Sequence, residues 1–299
     1  MTTAPQAAGS PARVLTIAGS DVSGGAGLGA DLKMFDEYGA FGAAVVTCIV
    51  TFDPENEFVH VVHFIETEEI IRQLESTMQI HEFSAIKSGM LGSVDSALEL
   101  ARRLREQHEQ DDPLPYVFDP VLVCKGSGTM VDLKDLFLEN LVPLATVITP
   151  NLEEAATLTG MEPLTSVEEM IEAARRLRAL GAENVVVKGG ARLAGEEAVD
   201  VLLEGEAGGS GERISVLTSR KTHDKLVNGA GCSFASSIAA GLATGLSVAE
   251  AVRTAKEKVA HAIAASLPNA IGVDSLFHPA ARVQPHPDVE VSVEVLERA

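Results

Sequence analysis

The chain has 299 residues, 46% of them hydrophobic and 22% charged, which is enough apolar material for one sizeable core. A net charge of -20 and an aromatic content of 4%, without Trp, argue against nucleic-acid and membrane partners, because phosphate is repelled and stacking surfaces are scarce. Cys48, Cys124 and Cys232 lie far apart with no CxxC spacing, which argues against a zinc site or a disulfide framework and suits a reducing cytoplasm.

Residues 1–11 lack the charged and apolar regions of a signal peptide and read as a disordered leader, leaving a single domain over 12–299. VLTIAG (14–19) is a short apolar run ending in Gly, hence a buried strand. GSDVSGGAGLGA follows as a Gly-rich loop, and ADLKMFDEYG (30–39) as a helix closed by Gly39. AAVVTCIVTF (43–52) is a second buried strand, and the mixed pattern at 58–65 suits a sheet edge. Helices at 67–79 and 94–109 precede the strands SAIKSGML (84–91) and YVFDPVLV (116–123). The strand TVITPN (146–151) leads into a helix from 152, then a helix at 166–180. NVVVKGG (184–190), VDVLLEG (199–205) and ERISVLTS (212–219) are strands. Ala-rich helices follow at 230–244 and 247–266, and 289–295 alternates weakly. No apolar stretch reaches the ~18 residues of a membrane span.

Strands separated by helices imply right-handed βαβ units and a three-layer α/β/α domain around a mostly parallel sheet. Such sheets bind ligands at the carboxyl ends of their strands, so residues just after strands carry the interest. Asp21 stands at the mouth of the first strand, in a loop that has neither GxGxxG nor a Walker GK[ST]. The loop is either a ligand cradle or a tight strand-to-helix turn. NGAGCSFASS (228–237) puts Gly229, Ala230 and Gly231 at a helix start, where bare N–H groups and the macrodipole suit an anion; close packing explains the same residues. Cys232, in the first turn, is expected to have a lowered pKa and reads as a base, a neutral donor or a small buried side chain. Asn151 and Glu154 fit Mg²⁺ ligands and equally an N-cap with its capping-box Glu. Asp119 either adds charge to a metal site or forms an Asp-Pro turn. Lys188 neutralises phosphate or sits solvated in a turn, and His60 and His63 face opposite sides of a strand as structural residues.

Together, TIAGSDVSGGAGLGADLKMF, IKSGMLGS, FDPVLVCKG, VITPNLEEA, VVVKGG and NGAGCSFAS occur in the order found in the ribokinase superfamily. From about 13 to 267 the chain resembles the hydroxymethylpyrimidine (phosphate) kinases and the pyridoxal kinases. The resemblance implies a ribokinase-like fold with a small lid. It also implies ATP and Mg²⁺ as cofactors, and phosphorylation of the hydroxymethyl group of a B6 vitamer, or alternatively of the thiamin pyrimidine. Asp21 would hold the heterocycle among Gly19, Phe52 and Val121, and Lys188, Gly190, Asn151 and Asp119 would contact ATP. Glu154 and Asp119 would organise the metal, and 229–232 would form the anion hole. Phe52, where the pyrimidine kinases carry Gln, and Cys124, in the segment folding over the substrate, resemble the two-cysteine pyridoxal branch. Val227 and Asn228 replace the usual Thr-His, with Asn228 expected to cap the helix. The family implies a homodimer.

Overall fold

The computed structural model describes residues 10–109, 113–122, 133–205, 211–222 and 226–296. The chain runs through β1 (Arg13–Asp21), α1 (Gly27–Asp36), β2 (Phe41–Asp53) and β3 (Val59–Phe64), then α2 (Thr67–Ile80), β4 (Ala85–Ser88), α3 (Val94–His108) and β5 (Tyr116–Phe118). Next come α4 (Lys134–Asn140), β6 (Val147–Ile148), α5 (Leu152–Thr159), α6 (Val167–Ala179), β7 (Asn184–Gly190), β8 (Glu197–Gly205) and β9 (Glu212–Arg220). The chain closes with α7 (Ala230–Ala243), α8 (Val248–Ala264), α9 (Ala280–Val283) and β10 (Ser292–Leu296).

All ten strands form one sheet in the order β10-β9-β8-β7-β6-β5-β4-β1-β2-β3. The six central strands are parallel, and β3 on one side and β8, β9 and β10 on the other add antiparallel edges. Period-two alternation sends Leu15 and Ile17 of β1 and Val185 and Val187 of β7 into the core beneath α2–α6. Val14, Ala85, Val117 and Val186 go to the opposite core beneath α1, α7 and α8. These two cores are the inner surfaces of the expected three layers.

Local signals set the helix boundaries. Asn151, Ser166 and Ser247 each close a capping box, and Gly160 ends α5 in the left-handed region at φ 67°. α1 begins at Gly27 rather than at 30, because the Gly-rich loop itself makes the first turn. The strands expected over 84–91, 116–123 and 146–151 end at Ser88, Phe118 and Ile148. Residues 119–122 and 149–151 instead lie in the loops that carry Asp119 and Asn151. α4 and α9, with 7 and 4 residues, are too short for periodicity to reveal. The mixed edge strand at 58–65 and the weak tail alternation both lie at sheet edges, as β3 and β10.

Candidate active site

A cleft of about 500 Å³ opens where β5, β6 and β7 end and α7 begins. The two glycine clusters, about 200 residues apart in the chain, touch at its floor, where Gly229 meets Gly25. Gly229 is the N-cap of α7 at φ 84°, and a Cβ there would overlap the carbonyl oxygen of Gly25. The first turn of α7 has neither a side-chain cap nor an acidic residue. Its N–H groups at Ala230, Gly231 and Cys232 therefore face the cleft with the positive end of the helix dipole behind them.

Lys188 lies against this turn, its Nζ 3.3 Å from where a Cβ on Gly231 would stand. The same ammonium pairs with Asp119 Oδ1 at 2.9 Å, and Thr149 Oγ1 donates to that oxygen at 3.3 Å. Burial works against the Lys188 charge, but Asp119 and Glu154 together hold its pKa above the ordinary value. Glu154 and Asn151 form a capping box: Asn151 Oδ1 accepts from the N–H groups of Glu153 and Glu154, and Asn151 N donates to Glu154 Oε2. Both sequence readings of this pair coexist, because capped Glu154 still lines the cleft. Burial pushes its carboxyl up to about 7; Lys188 opposes the rise and Asp119 adds to it. Gly190 lines the same cleft, and its N–H reaches Asp200 Oδ1 at 3.3 Å.

Cys232 departs from expectation. Burial pushes its thiol up to about 11, against the pull of Lys87, so the helix N-terminus holds a neutral S–H and not a thiolate. Asn228 is not the N-cap. It precedes Gly229, and its Nδ2 donates to Asp21 Oδ2 at 3.1 Å. Ser23 N donates to the other oxygen of Asp21 at 2.7 Å. Gly19 packs directly on Cys48, whose Sγ would stand 2.6 Å from a Cβ at that position. Phe52 and Val121 reach the cleft wall. His60, expected to be structural, also lines the cleft, with its ring 4.7 Å from that of Phe52. His63 faces away and meets Thr51 Oγ1 at 3.1 Å. Cys124 lies outside the described residues.

Three polar clusters escaped the sequence reading. Asp31 of α1 and Lys87 of β4, both 0% exposed, form an ion pair at 2.9 Å that Thr16 of β1 and Ser236 of α7 also support. Asp200 and Lys256, on β8 and α8, pair at 2.8 Å in the cleft wall. Lys221 directs its ammonium at the carbonyls of Leu193 and Gly195, at 2.6 and 2.8 Å, and so holds the loop after β7. A Lys inside the apolar strand SAIKSG was the one visible signal. Its partner lies 56 residues away, which no local pattern reports.

A family model described as Phosphomethylpyrimidine kinase matches residues 21–276. Pyridoxine kinase of Bacillus subtilis (strain 168) is 42% identical over 273 residues, covering 91% of this chain and 97% of that protein. The structure of pyridoxal kinase from Staphylococcus aureus in complex with AMP-PCP and pyridoxal superposes with a TM-score of 0.86 at 35% identity, covering 96% of this chain and 100% of the other. Phosphomethylpyrimidine kinase from Clostridium difficile 630 superposes with a TM-score of 0.64 at 31% identity, covering 82% and 97%. The family match begins at Asp21 and ends at Leu276, enclosing the whole cleft, and the chain belongs to the phosphomethylpyrimidine kinase family of ribokinase-like small-molecule kinases.

Proposed function

We propose that this chain transfers the γ-phosphoryl group of ATP to the hydroxymethyl group of a B6 vitamer, pyridoxal or pyridoxine. The observation that carries this reading is the adjacency of two unlike sites: the Asp21 loop, built for N–H and O–H donors, touches the bare N-terminus of α7, built for an anion. The closer superposition on a pyridoxal kinase than on a phosphomethylpyrimidine kinase supports the vitamer, as does apolar Phe52 in the cleft wall.

In this mechanism Asp21 orients the heterocycle, and the vitamer hydroxyl oxygen bonds to the γ-phosphorus as the bond to ADP breaks in line. The hydroxyl proton leaves to solvent. The N–H groups of Ala230, Gly231 and Cys232 and the Lys188 ammonium answer the charge spread over the transferring group. Cys232, neutral, donates its S–H to that group. Asp119 and Glu154 fit Mg²⁺, since two carboxylates face one ammonium and Mg²⁺ takes its remaining ligands from water and phosphate. When bound, Mg²⁺ would neutralise phosphate charge there. Among the described residues no cluster of three such ligands occurs, and a site completed by ATP itself requires none. Ala198, Val259 and Ile263 line the part of the cleft we assign to the adenosine.

A second reading, phosphorylation of hydroxymethylpyrimidine and its monophosphate, draws on the description of the family model. Arg192, in the cleft and paired only loosely with Glu153 at 3.8 Å, is the cation that reading assigns to the additional phosphate. ATP turnover with pyridoxal, pyridoxine, hydroxymethylpyrimidine and its monophosphate separates the two. Preference for pyridoxal, lost in Cys124→Ala while pyridoxine still reacts, is the expected outcome, with the Cys124 thiol adding reversibly to the aldehyde. Efficient use of the monophosphate would overturn it. We further propose a cytoplasmic homodimer. The outward face of the β2–β3 hairpin supports it, with Ile49, Val59 and Val61 exposed at 38%, 41% and 37%. Among the described residues no helix is long and apolar enough to cross a membrane.

A further inference from the structure

We infer that Asn228 is a positioning residue that locks the Asp21 carboxylate of the substrate site to the anion hole, so that vitamer binding and phosphoryl alignment are set by one side chain. The inference rests on the assignment of Asp21 as the substrate anchor. A carboxylate only accepts, so the amide must present its NH₂ to Asp21, and the orientation of Asn228 follows from its partner. That amide and Ser23 N occupy one site on each Asp21 oxygen, leaving the remaining lone pairs for a ligand.

Asn228 is itself held from behind. Its backbone N–H donates to Asp274 O at 2.8 Å, and it bridges Ser275, which exchanges two backbone hydrogen bonds with Leu267 at 2.8 and 2.9 Å. In front, a Cβ on Gly25 would stand 2.9 Å from Asn228 Nδ2, so the substrate loop is pressed onto the amide. The next residue, Gly229, starts α7. One residue thus grips the carboxylate of the substrate site, and its neighbour launches the helix whose N–H groups meet phosphate. A shift of the Asp21 loop cannot occur without moving Asn228, and Asn228 cannot move without tilting the anion-hole turn.

The test is a double-mutant cycle of Asn228→Ala and Asp21→Asn, read as KM for pyridoxine, KM for ATP and kcat, with thermal unfolding to confirm that each variant folds. A charge-assisted hydrogen bond of this kind corresponds to about a tenfold effect or more. Asn228→Ala is expected to raise the KM for pyridoxine about tenfold and to lower kcat, with the KM for ATP unchanged. In the double variant the loss should be little greater than in Asp21→Asn alone, because the amide has lost its charged partner. Losses that multiply, or an Asn228→Ala variant whose only change is a higher KM for ATP, would overturn the coupling while leaving Asp21 as anchor. If Asp21→Asn leaves the KM for pyridoxine unchanged, the anchor assignment and the coupling both fall. Should Asn228→Ala not fold, Asn228→Ser, with a shorter donor, takes its place in the cycle on the same criteria.

Discussion

Gly19 carries no side chain because the sulfur of Cys48, fully buried on the neighbouring strand, fills the space a Cβ would need. Without that sulfur the nearest remaining atoms would be 3.6 and 3.7 Å away, an ordinary contact distance. Gly19→Ala is therefore expected to destabilise the protein by roughly 1–3 kcal/mol through overpacking, and Gly19→Ala combined with Cys48→Ala to recover most of it. Thermal melts of the wild type and the two variants check this, and equal melting temperatures for the single and double variants would refute the steric account. At Cys232 the neutral thiol makes a different prediction. Cys232→Ala removes a donor without disturbing a charge, so kcat should fall on the order of tenfold to a hundredfold while the KM for ATP stays within about twofold. Steady-state kinetics with saturating pyridoxine reads both, and an unchanged kcat would dismiss the thiol from the chemistry.

Elements meet at Asp31, where α1, β1, β4 and α7 share one carboxylate. Burial opposes both charges of the pair. Burial outweighs the donors from Lys87, Thr16 and Ser236 and leaves the Asp31 carboxyl above its ordinary pKa, while Asp31 keeps the ammonium well above its own. Lys87→Met strands the carboxylate and should cost about 3–5 kcal/mol in urea unfolding, whereas adding Asp31→Asn should restore part of that loss. A double variant worse than the single one would show that the pair's charges were not compensating each other. This junction also shows what the sequence could convey. Apolar runs and the 3.6 period marked β1, β2, β7 and the long helices, because those patterns are written in neighbouring residues. The carboxyl ends of β4, β5 and β6 were overextended, since the loops bearing Asp119 and Asn151 are themselves apolar and buried on one side. Lys188, Glu154 and the 229–232 turn were legible as strand-end or helix-start residues. The partners Asp31–Lys87 and Asp200–Lys256, and the contact of Asn228 with Asp21, were not, because they are set only when distant strands align.

The whole molecule carries a charge of -20, yet its cleft sets Lys188, Arg192, Arg220, Lys221 and Lys256 against the fewer acids Asp119, Glu154 and Asp200. This local concentration of cations offsets a global repulsion of nucleotide. Acid stability is governed in part on the opposite face of α7, where His278 meets Ser233 Oγ at 2.9 Å. Burial lowers the His278 pKa from 6.5 to about 4, with Lys33 acting in the same direction and Glu37 against it. The unfolded chain takes up this proton first, so the stability contribution is present above pH 6.5 and lost as pH falls through about 4. Full loss corresponds to about 3 kcal/mol. His278→Gln should flatten the unfolding free energy between those pH values, and an unaltered slope would assign acid sensitivity elsewhere. The position of α7 in the chain has a temporal consequence as well. It covers the face of β1, β4 and β5, strands finished long before residue 230 emerges during synthesis. A nascent chain therefore holds most of its parallel sheet with α1 already over β1 but with Ala85 and Val117 bare on the same side, a surface that invites chaperones until α7 arrives. The segment that closes this face is the one that brings the proposed anion hole, so on that assignment the growing polypeptide acquires its ability to handle phosphate only as it ceases to be sticky.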